Sequence, residues 1–334
     1  MRILVGDVGG TKTLLALYEG RDGTSLVETR RTRFASARTE GSAEDGLDSM
    51  RSFVEGAVGI DAAVIAVAGP VEGHVARVTN LPWVIDAREI SRQLSIPKTA
   101  LLNDFEAVAL GLDEVPDNAR LVLQDRPVDP SAPAAVIGAG TGLGEAIVLP
   151  NERGLPRVLA TEGGHADFAP RDDAEIDLLR FARARFGRVS IERVVSGLGL
   201  ATIYEHVIAS GEAPPSPETR ARIDAGEDPG AVIGEHRASD RAAAVAIWRL
   251  VSLYGAEAGN LALRSLPFGG LFVAGGIAPK LVDILEDGTF LDSFRAKGRM
   301  TPVLDKIRVT VLTDPCVALL GARRKAADLL SHTS

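Results

Sequence analysis

The sequence predicts a mixed α/β protein of two lobes, each organised around a strand hairpin with a glycine-rich turn. A chain of 334 residues is too long for one small core and suits about two domains of roughly 150 residues each. The apolar runs Ile3-Leu4-Val5 and Leu14-Leu15-Ala16-Leu17 flank Gly6-Asp7-Val8-Gly9-Gly10-Thr11, which reads as two strands joined by a turn. About one domain length later, Ala134-Ala135-Val136-Ile137 and Ala146-Ile147-Val148-Leu149 flank Gly138-Ala139-Gly140-Thr141-Gly142-Leu143-Gly144 and repeat that arrangement.

Between the hairpins, Ala62 to Ala68, closed by Gly69-Pro70, then His74 to Thr79 and Thr99 to Asn103 read as strands alternating with polar helical stretches. Asp104 opens a helical stripe of Phe105, Val108, Ala109 and Leu112, placing it where a strand gives way to a helix. Such strand ends face ligand crevices in α/β sheets. After residue 150 the pattern turns helical: Asp173 to Phe186, Ser190 to Ser210 and the Ala-rich Ala242 to Leu263. Gly211 to Gly230 carries Pro214, Pro215, Pro217 and several charges, the composition of a solvated excursion that need not pack. Leu271-Phe272-Val273-Ala274 reads as a buried strand ended by Gly275-Gly276, followed by a helix from Pro279 to Leu285 and a closing helix from Ala318 to Leu330. Cys316 is expected as a small buried residue, Trp83 as packing beside Pro82, and Gly255 with Gly259 as a close helix contact.

Composition excludes several classes. Hydrophobic residues make up 46% and charged residues 25%, ordinary globular usage. A net charge of −8 disfavours non-specific nucleic-acid binding, which depends on clustered Lys and Arg. Cys316 alone cannot form an intrachain disulfide or a multi-cysteine metal site, which fits a reducing compartment. Met1 to Val5 is too short an apolar run for a signal peptide, and no later stretch approaches a membrane span, so a cytoplasmic protein free of membrane contact is expected.

Glycine turns between strands let main-chain N–H groups crowd around a phosphate, although a single such turn is more often only structural. Neither turn fits a better-known motif. The first nearly matches GxxxxGK[ST] through Lys12-Thr13, but Thr11 stands where the last glycine is required. The second fails GxGxxG at Leu143 and is followed by a strand, not a helix. Within the first turn, Asp7 would repel phosphate unless Mg²⁺ or its waters lay between; otherwise it simply stabilises the turn.

Taken in order, these motifs resemble the bacterial glucokinase family, within the sugar kinase, heat-shock chaperone and actin-like ATPase superfamily. Thr79-Asn80-Leu81-Pro82-Trp83, Asn103-Asp104-Phe105, Glu162-Gly163-Gly164-His165, Ser190-Ile191-Glu192-Arg193 and Ala274-Gly275-Gly276-Ile277 carry the resemblance together with both turns, across nearly the whole chain. It implies a two-lobed actin-like ATPase (ribonuclease H-like) fold, with duplicated mixed-sheet domains and an interlobe cleft. The smaller lobe would comprise residues 1–108 plus 312–334 and the larger 109–311, usually in a homodimer. By the same resemblance, Gly6, Asp7, Val8, Gly9, Gly10 and Thr11 with Gly140, Thr141 and Gly142 form the ATP phosphate motifs, and the Mg²⁺ that the Asp7 carboxylate calls for would sit there through water. Gly275 and Gly276 close the adenosine motif, and Asn103, Asp104, Glu162, His165 and Glu192 bind glucose. Lys12, where many relatives carry Asn, either approaches phosphate or points to solvent. The related ROK kinases and repressors carry a cysteine-rich zinc motif that Cys316 alone cannot supply.

A sugar hydroxyl is a poor nucleophile, so phosphoryl transfer needs a carboxylate to align it and accept its proton, and the resemblance assigns Asp104 that role. An Asp opening a helix is otherwise an N-cap, and the two roles are compatible. Glu162, Glu192 and Asn103 offer acceptors for a ring of hydroxyls, with His165 a further partner. Taken singly, Glu192 is a surface charge and His165 a loop residue; their co-occurrence carries the reading. A kinase for another hexose or an amino sugar, and a non-catalytic sugar sensor, are the alternatives.

Overall fold

A computed structural model describes residues 1–10, 12–36, 46–79, 81–152 and 154–331. The predicted residues Thr11 and Asn80 lie outside the described residues. The chain divides into two compact units: Met1–Pro116 with Asn151–Leu159 and Cys316–Ser334, and Asp117–Pro150 with Ala160–Pro315.

The first unit contains strands β1 (Arg2–Val8), β2 (Lys12–Glu19), β3 (Val27–Ala35), β4 (Ala62–Val67), β5 (Val71–Glu72), β6 (Val75–Arg77), β7 (Val84–Asp86) and β8 (Lys98–Asn103). Its main sheet runs β3-β2-β1-β4-β8, and β5-β6-β7 form a small separate sheet. β1 and β2 are the predicted antiparallel hairpin, whereas β1, β4 and β8 are mutually parallel. All six residues of β4 are buried because both faces of the sheet are covered. Ala63, Ile65 and Val67 point to one side, where Met50 and Phe53 of α1 (Gly46–Val54) and Ile90 of α2 (Ala87–Leu94) pack. Ala62, Val64 and Ala66 point to the other, covered by Ala107 and Leu110 of α3 (Asp104–Gly111) and by Leu319, Ala322 and Ala326 of the C-terminal helix Val317–Ser331.

The second unit is organised on β9 (Arg120–Gln124), β10 (Ala134–Ala139), β11 (Leu143–Leu149), β13 (Leu271–Ala274) and β14 (Val309–Leu312); with β12 (Arg157–Thr161), which starts in the Asn151–Leu159 segment grouped with the first unit, they form a sheet of order β12-β11-β10-β13-β14-β9. The logic of the first sheet returns: β10 pairs antiparallel with β11 and parallel with β13, which is parallel to β14. Its helices are α4 (Asp173–Phe186), α5 (Gly197–Ala209), α6 (Pro217–Asp224), α7 (Pro229–His236), α8 (Arg241–Ser265), α9 (Val282–Glu286), α10 (Thr289–Arg295) and α11 (Thr301–Leu304). α8 is buried along most of its length. At Gly255 and Gly259 the main-chain carbonyls of Phe290 and Phe294 on α10 come so close that a Cβ would overlap them, the close contact expected of these glycines.

Two expectations are corrected. Gly211 to Gly230 is solvated along most of its length, as expected, but it is ordered and packs: it holds α6 and the start of α7, and Ala213 and Thr219 within it are buried. Each helix begins at a proline preceded by a side-chain cap, Ser216 accepting from the Thr219 N–H and Asp228 from the Ala231 N–H, so the prolines start helices instead of ending them. Ser190 to Ser210 is likewise not one helix. Ile191–Arg193 is a single 3₁₀ turn, and α5 starts afresh at Gly197 with Ser196 as its cap.

In the first unit, a Cβ at Gly321 would overlap the Ala107 carbonyl oxygen, and one at Gly111 the Val317 carbonyl oxygen. Gly234 on α7 has open space around it. Replacing Gly321 with Ala is therefore expected to cost about 1–3 kcal/mol of stability through overpacking, whereas Gly234→Ala should stabilise by up to ~1 kcal/mol through helix propensity. Equal denaturation midpoints for the two variants would contradict this account of the α3 contact.

Candidate active site

Parallel register brings three strand ends of the first unit level: Val8 of β1 lies beside Val67 of β4, and Val67 beside Asn103 of β8. The first turn closes with the Gly9 N–H donating to the Lys12 carbonyl at 2.9 Å. Gly6 lies inside β1, where a Cβ would press on Ile65 and Leu15 at 2.9 Å, and the Val8 side chain is wholly buried, so at Val8 only main chain faces the turn. Gly9 and Gly10 are partly exposed, as is Asp7, and Lys12 is exposed.

At the end of β8, Asn103 is the cap of α3, and Asp104 is the first helical residue rather than the cap. The Asn103 Oδ1 accepts from the N–H groups of Phe105 at 2.9 Å and Glu106 at 3.2 Å, while its Nδ2 donates to the Gly69 carbonyl at 3.1 Å. Asn103 caps the helix, and the Asp104 carboxylate accepts from the Phe105 N–H at 2.9 Å, with its own main chain and the Asn103 side chain also bonding to it. Burial, and then the negative charge of Asp7, push the Asp104 carboxyl up to about 6. Asp7 is itself raised by burial, with the Lys12 ammonium opposing the shift. Asp7 and Asp104 are thus close enough for the charge of one carboxyl to act on the other in a partly desolvated place.

In the second unit the hairpin between β10 and β11 turns through Gly140-Thr141-Gly142, the Gly140 N–H donating to the Gly142 carbonyl at 2.8 Å. Two elements hold it. The Gly197 N–H at the start of α5 donates to the Gly140 carbonyl at 2.8 Å, and the Leu143 N–H donates to Glu192 Oε2 at 3.0 Å. A Cβ at Gly142 would displace the Glu192 carboxylate from the Leu143 N–H. Gly275 has φ +85° and presses against the Ala139 carbonyl at the end of β10, and the Ile277 N–H donates to that carbonyl at 3.1 Å. The glycine pairs of the second hairpin and of the turn after β13 therefore lie side by side at adjacent parallel strand ends.

Glu162 and His165 flank a 3₁₀ turn, Gly163–His165, with His165 Nε2 3.7 Å from Glu162 Oε2 and both side chains largely exposed. A Cβ at Gly164 would overlap the Leu143 carbonyl, so the turn lies directly on β11. The Ile191 N–H donates to the Ala166 carbonyl at 2.8 Å, tying this turn to the one bearing Glu192. Tyr254, which sequence reasoning missed, pins the strand ends: its hydroxyl accepts from the Ala139 N–H at 3.0 Å and lies 3.2 Å from the Ala274 carbonyl. The available signal was a tyrosine inside an Ala- and Gly-rich buried helix, where a hydroxyl must find a partner. Ser196, the cap that aims the first turn of α5 at Gly140, was also missed.

Among the described residues no group of three or more His, Cys, Asp or Glu could hold a metal ion, and no helix is long and apolar enough to cross a membrane.

Comparison with known proteins places this geometry. The glucokinase family profile matches residues 4–329. A glucokinase from Nostoc sp. is 40% identical, over 98% of this chain and 99% of its own. The crystal structure of a glucokinase from an Antarctic psychrotroph has a TM-score of 0.78 at 28% identity, covering 97% of this chain and 98% of its own. A ROK family glucokinase from Streptomyces griseus, solved in complex with glucose and AMPPNP, shares the fold with a TM-score of 0.68 at 22% identity, covering 98% of this chain and 99% of its own. The fold is that of the actin-like ATPases, and the protein is an ATP-dependent sugar kinase. Within that class, the chain belongs to the glucokinase family.

An Asp104 carboxyl that holds its proton more tightly folded than unfolded loses stabilising free energy as pH rises from about 4, the ordinary Asp value, to about 6. Carbon-detected NMR should show Asp104 titrating near pH 6, with a lower midpoint in Asp7→Asn once the neighbouring charge is gone. An unchanged midpoint in that variant would show that the two carboxyls do not interact.

Proposed function

We propose that the protein transfers the γ-phosphate of ATP to the 6-hydroxyl of D-glucose, giving glucose 6-phosphate and ADP, with Asp104 as the base. The observation that carries this reading is the state of Asp104: partly buried at a strand end, spared from capping by Asn103, and raised to about 6. Such a carboxylate is ionised at neutral pH yet more basic than a solvated Asp, which suits acceptance of a hydroxyl proton as transfer proceeds.

In this reading Asn103, Asp104, Glu162, His165 and Glu192 hold the glucose hydroxyls. Asn103 has its Oδ1 committed to the helix cap and one Nδ2 proton to Gly69, and its side chain also bonds Asp104, so it holds the base beside the sugar. Gly6, Asp7, Val8, Gly9, Gly10 and Thr11 with Gly140, Thr141 and Gly142 carry the phosphates, and Gly275 and Gly276 the adenosine. Main-chain N–H groups do this work at Val8, whose side chain belongs to the core. Mg²⁺ fits beside Asp7: a partly buried carboxylate with the carboxylate of Asp104 nearby suits a hard cation that keeps its waters and shares phosphate oxygens. When bound, it neutralises charge on the transferred phosphate. The reading also takes the chain as a cytoplasmic homodimer, with a smaller lobe of residues 1–108 plus 312–334 and a larger lobe of 109–311.

A coupled assay of ADP release across several hexoses tests donor and acceptor together, and glucose should give the highest kcat/KM. Asp104→Asn should lower kcat by about 10²–10⁴-fold, the usual range for a positioned base, while calorimetry still detects glucose binding. Full turnover by that variant would refute the assigned base.

A further inference from the structure

Beneath the turn that carries Glu162 and His165 lies an ionisable pair that the reaction as derived does not use. Glu145 on β11 and Glu257 on α8 are both buried, at 2% and 4% exposure, and close enough for the charge of Glu257 to act on Glu145. Arg264, half-exposed, reaches both, with Nη1 3.1 Å from Glu257 Oε1 and 3.7 Å from Glu145 Oε2. Asn260 Nδ2 donates to Glu257 Oε2 at 2.9 Å, but Glu145 Oε1 and Glu257 Oε1 are both buried without a hydrogen-bond partner among the described residues. The turn rests on this pair. A Cβ at Gly163 would overlap Glu145 Oε2, and Thr161 Oγ1 donates to the Glu145 carbonyl at 2.9 Å while accepting from the Gly163 N–H at 3.2 Å.

Two carboxylates buried side by side repel each other in a desolvated place, and neither the half-exposed Arg264 nor Lys297, which bonds Asn260, hydrogen-bonds Glu145 Oε1. A shared proton removes the repulsion, leaving one carboxylate for Arg264 and one acid that can donate across the pair. We propose that Glu145 is a positioning residue for sugar binding: it shares one proton with Glu257, the Glu162–His165 turn is seated on that neutralised pair, and loss of the proton to solvent unseats the turn. The proposal rests on the reading of Glu162 and His165 as glucose ligands. The other ionisable groups around Glu145 are Tyr254 on α8, the exposed Glu162 and His165 above, Glu192 on the Leu143 N–H, and Lys297 behind Asn260. Burial first, and then the charge of Glu257, push the Glu145 carboxyl up to about 7 despite Arg264, which places loss of the proton near neutrality.

Glucose affinity measured by calorimetry without nucleotide, between pH 6.5 and 8.5, tests this. The parent protein should bind glucose more weakly as pH rises, by about tenfold if proton and sugar are coupled by one pKa unit. Glu145→Gln, neutral at every pH, should abolish that dependence, whereas Glu145→Ala should weaken binding at every pH. Thermal unfolding confirms that each variant is folded, and the isosteric Gln variant keeps the test valid if the Ala variant does not fold. Parallel pH profiles for the parent and Glu145→Gln would overturn the proposal. Glu162→Gln, at an exposed position, separates the two levels of failure. If it weakens glucose binding while the profiles stay parallel, only the positioning role falls; if it binds glucose like the parent, the sugar-site reading falls and the proposal with it.

Discussion

The parallel pairing of β1, β4 and β8 is the constraint on which the arrangement in the first unit depends. A parallel ladder brings the carboxyl ends of its strands to one edge, here Val8, Val67 and Asn103. The glycine turn after β1, the loop at Gly69 and the first turn of α3 must then meet at that edge, and the Asn103 side chain joins two of them. In the second unit the pairing of β10 with β13 does the same for the two glycine pairs, with Tyr254 bonded at both strand ends.

The two hairpins were legible in the sequence because strand, glycine turn and strand follow one another directly, so local pattern and final pairing coincide. β4 was legible for a related reason: a strand buried on both faces has an uninterrupted apolar run. Asp173 to Phe186 was found to the residue, since Asp172 caps it and Gly187 follows it.

The failures have a different physical origin. Proline in Ser216-Pro217 and Asp228-Pro229 is the same residue whether it breaks a helix or opens one, and only the preceding cap distinguishes the two. The helix expected from Ser190 was interrupted because the Ile191–Arg193 turn supplies Glu192 to the Leu143 N–H, a demand from a strand far away in sequence. Division of labour between Asn103 and Asp104 was not visible either, for both residue types cap helices well. The Glu145 and Glu257 pair joins residues more than a hundred positions apart, and no window along the chain contains both. What local patterns omit here is the set of long-range polar contacts that orient the candidate site.

The C-terminal helix has a consequence for how the chain acquires its fold. Its Leu319, Ala322 and Ala326 cover the face of the first sheet that bears Ile3, Val5, Ala62 and Val64, and Gly111 and Gly321 let it lie directly on α3. The amino-terminal strands therefore leave the ribosome well before the helix that completes their core. Apart from the short segment Asn151–Leu159, the second unit is continuous from Asp117 to Pro315 and can consolidate while the first still awaits its last element. Any truncation that removes the final helix uncovers an apolar sheet face, leaving a sticky, incomplete half for chaperones and proteases to find.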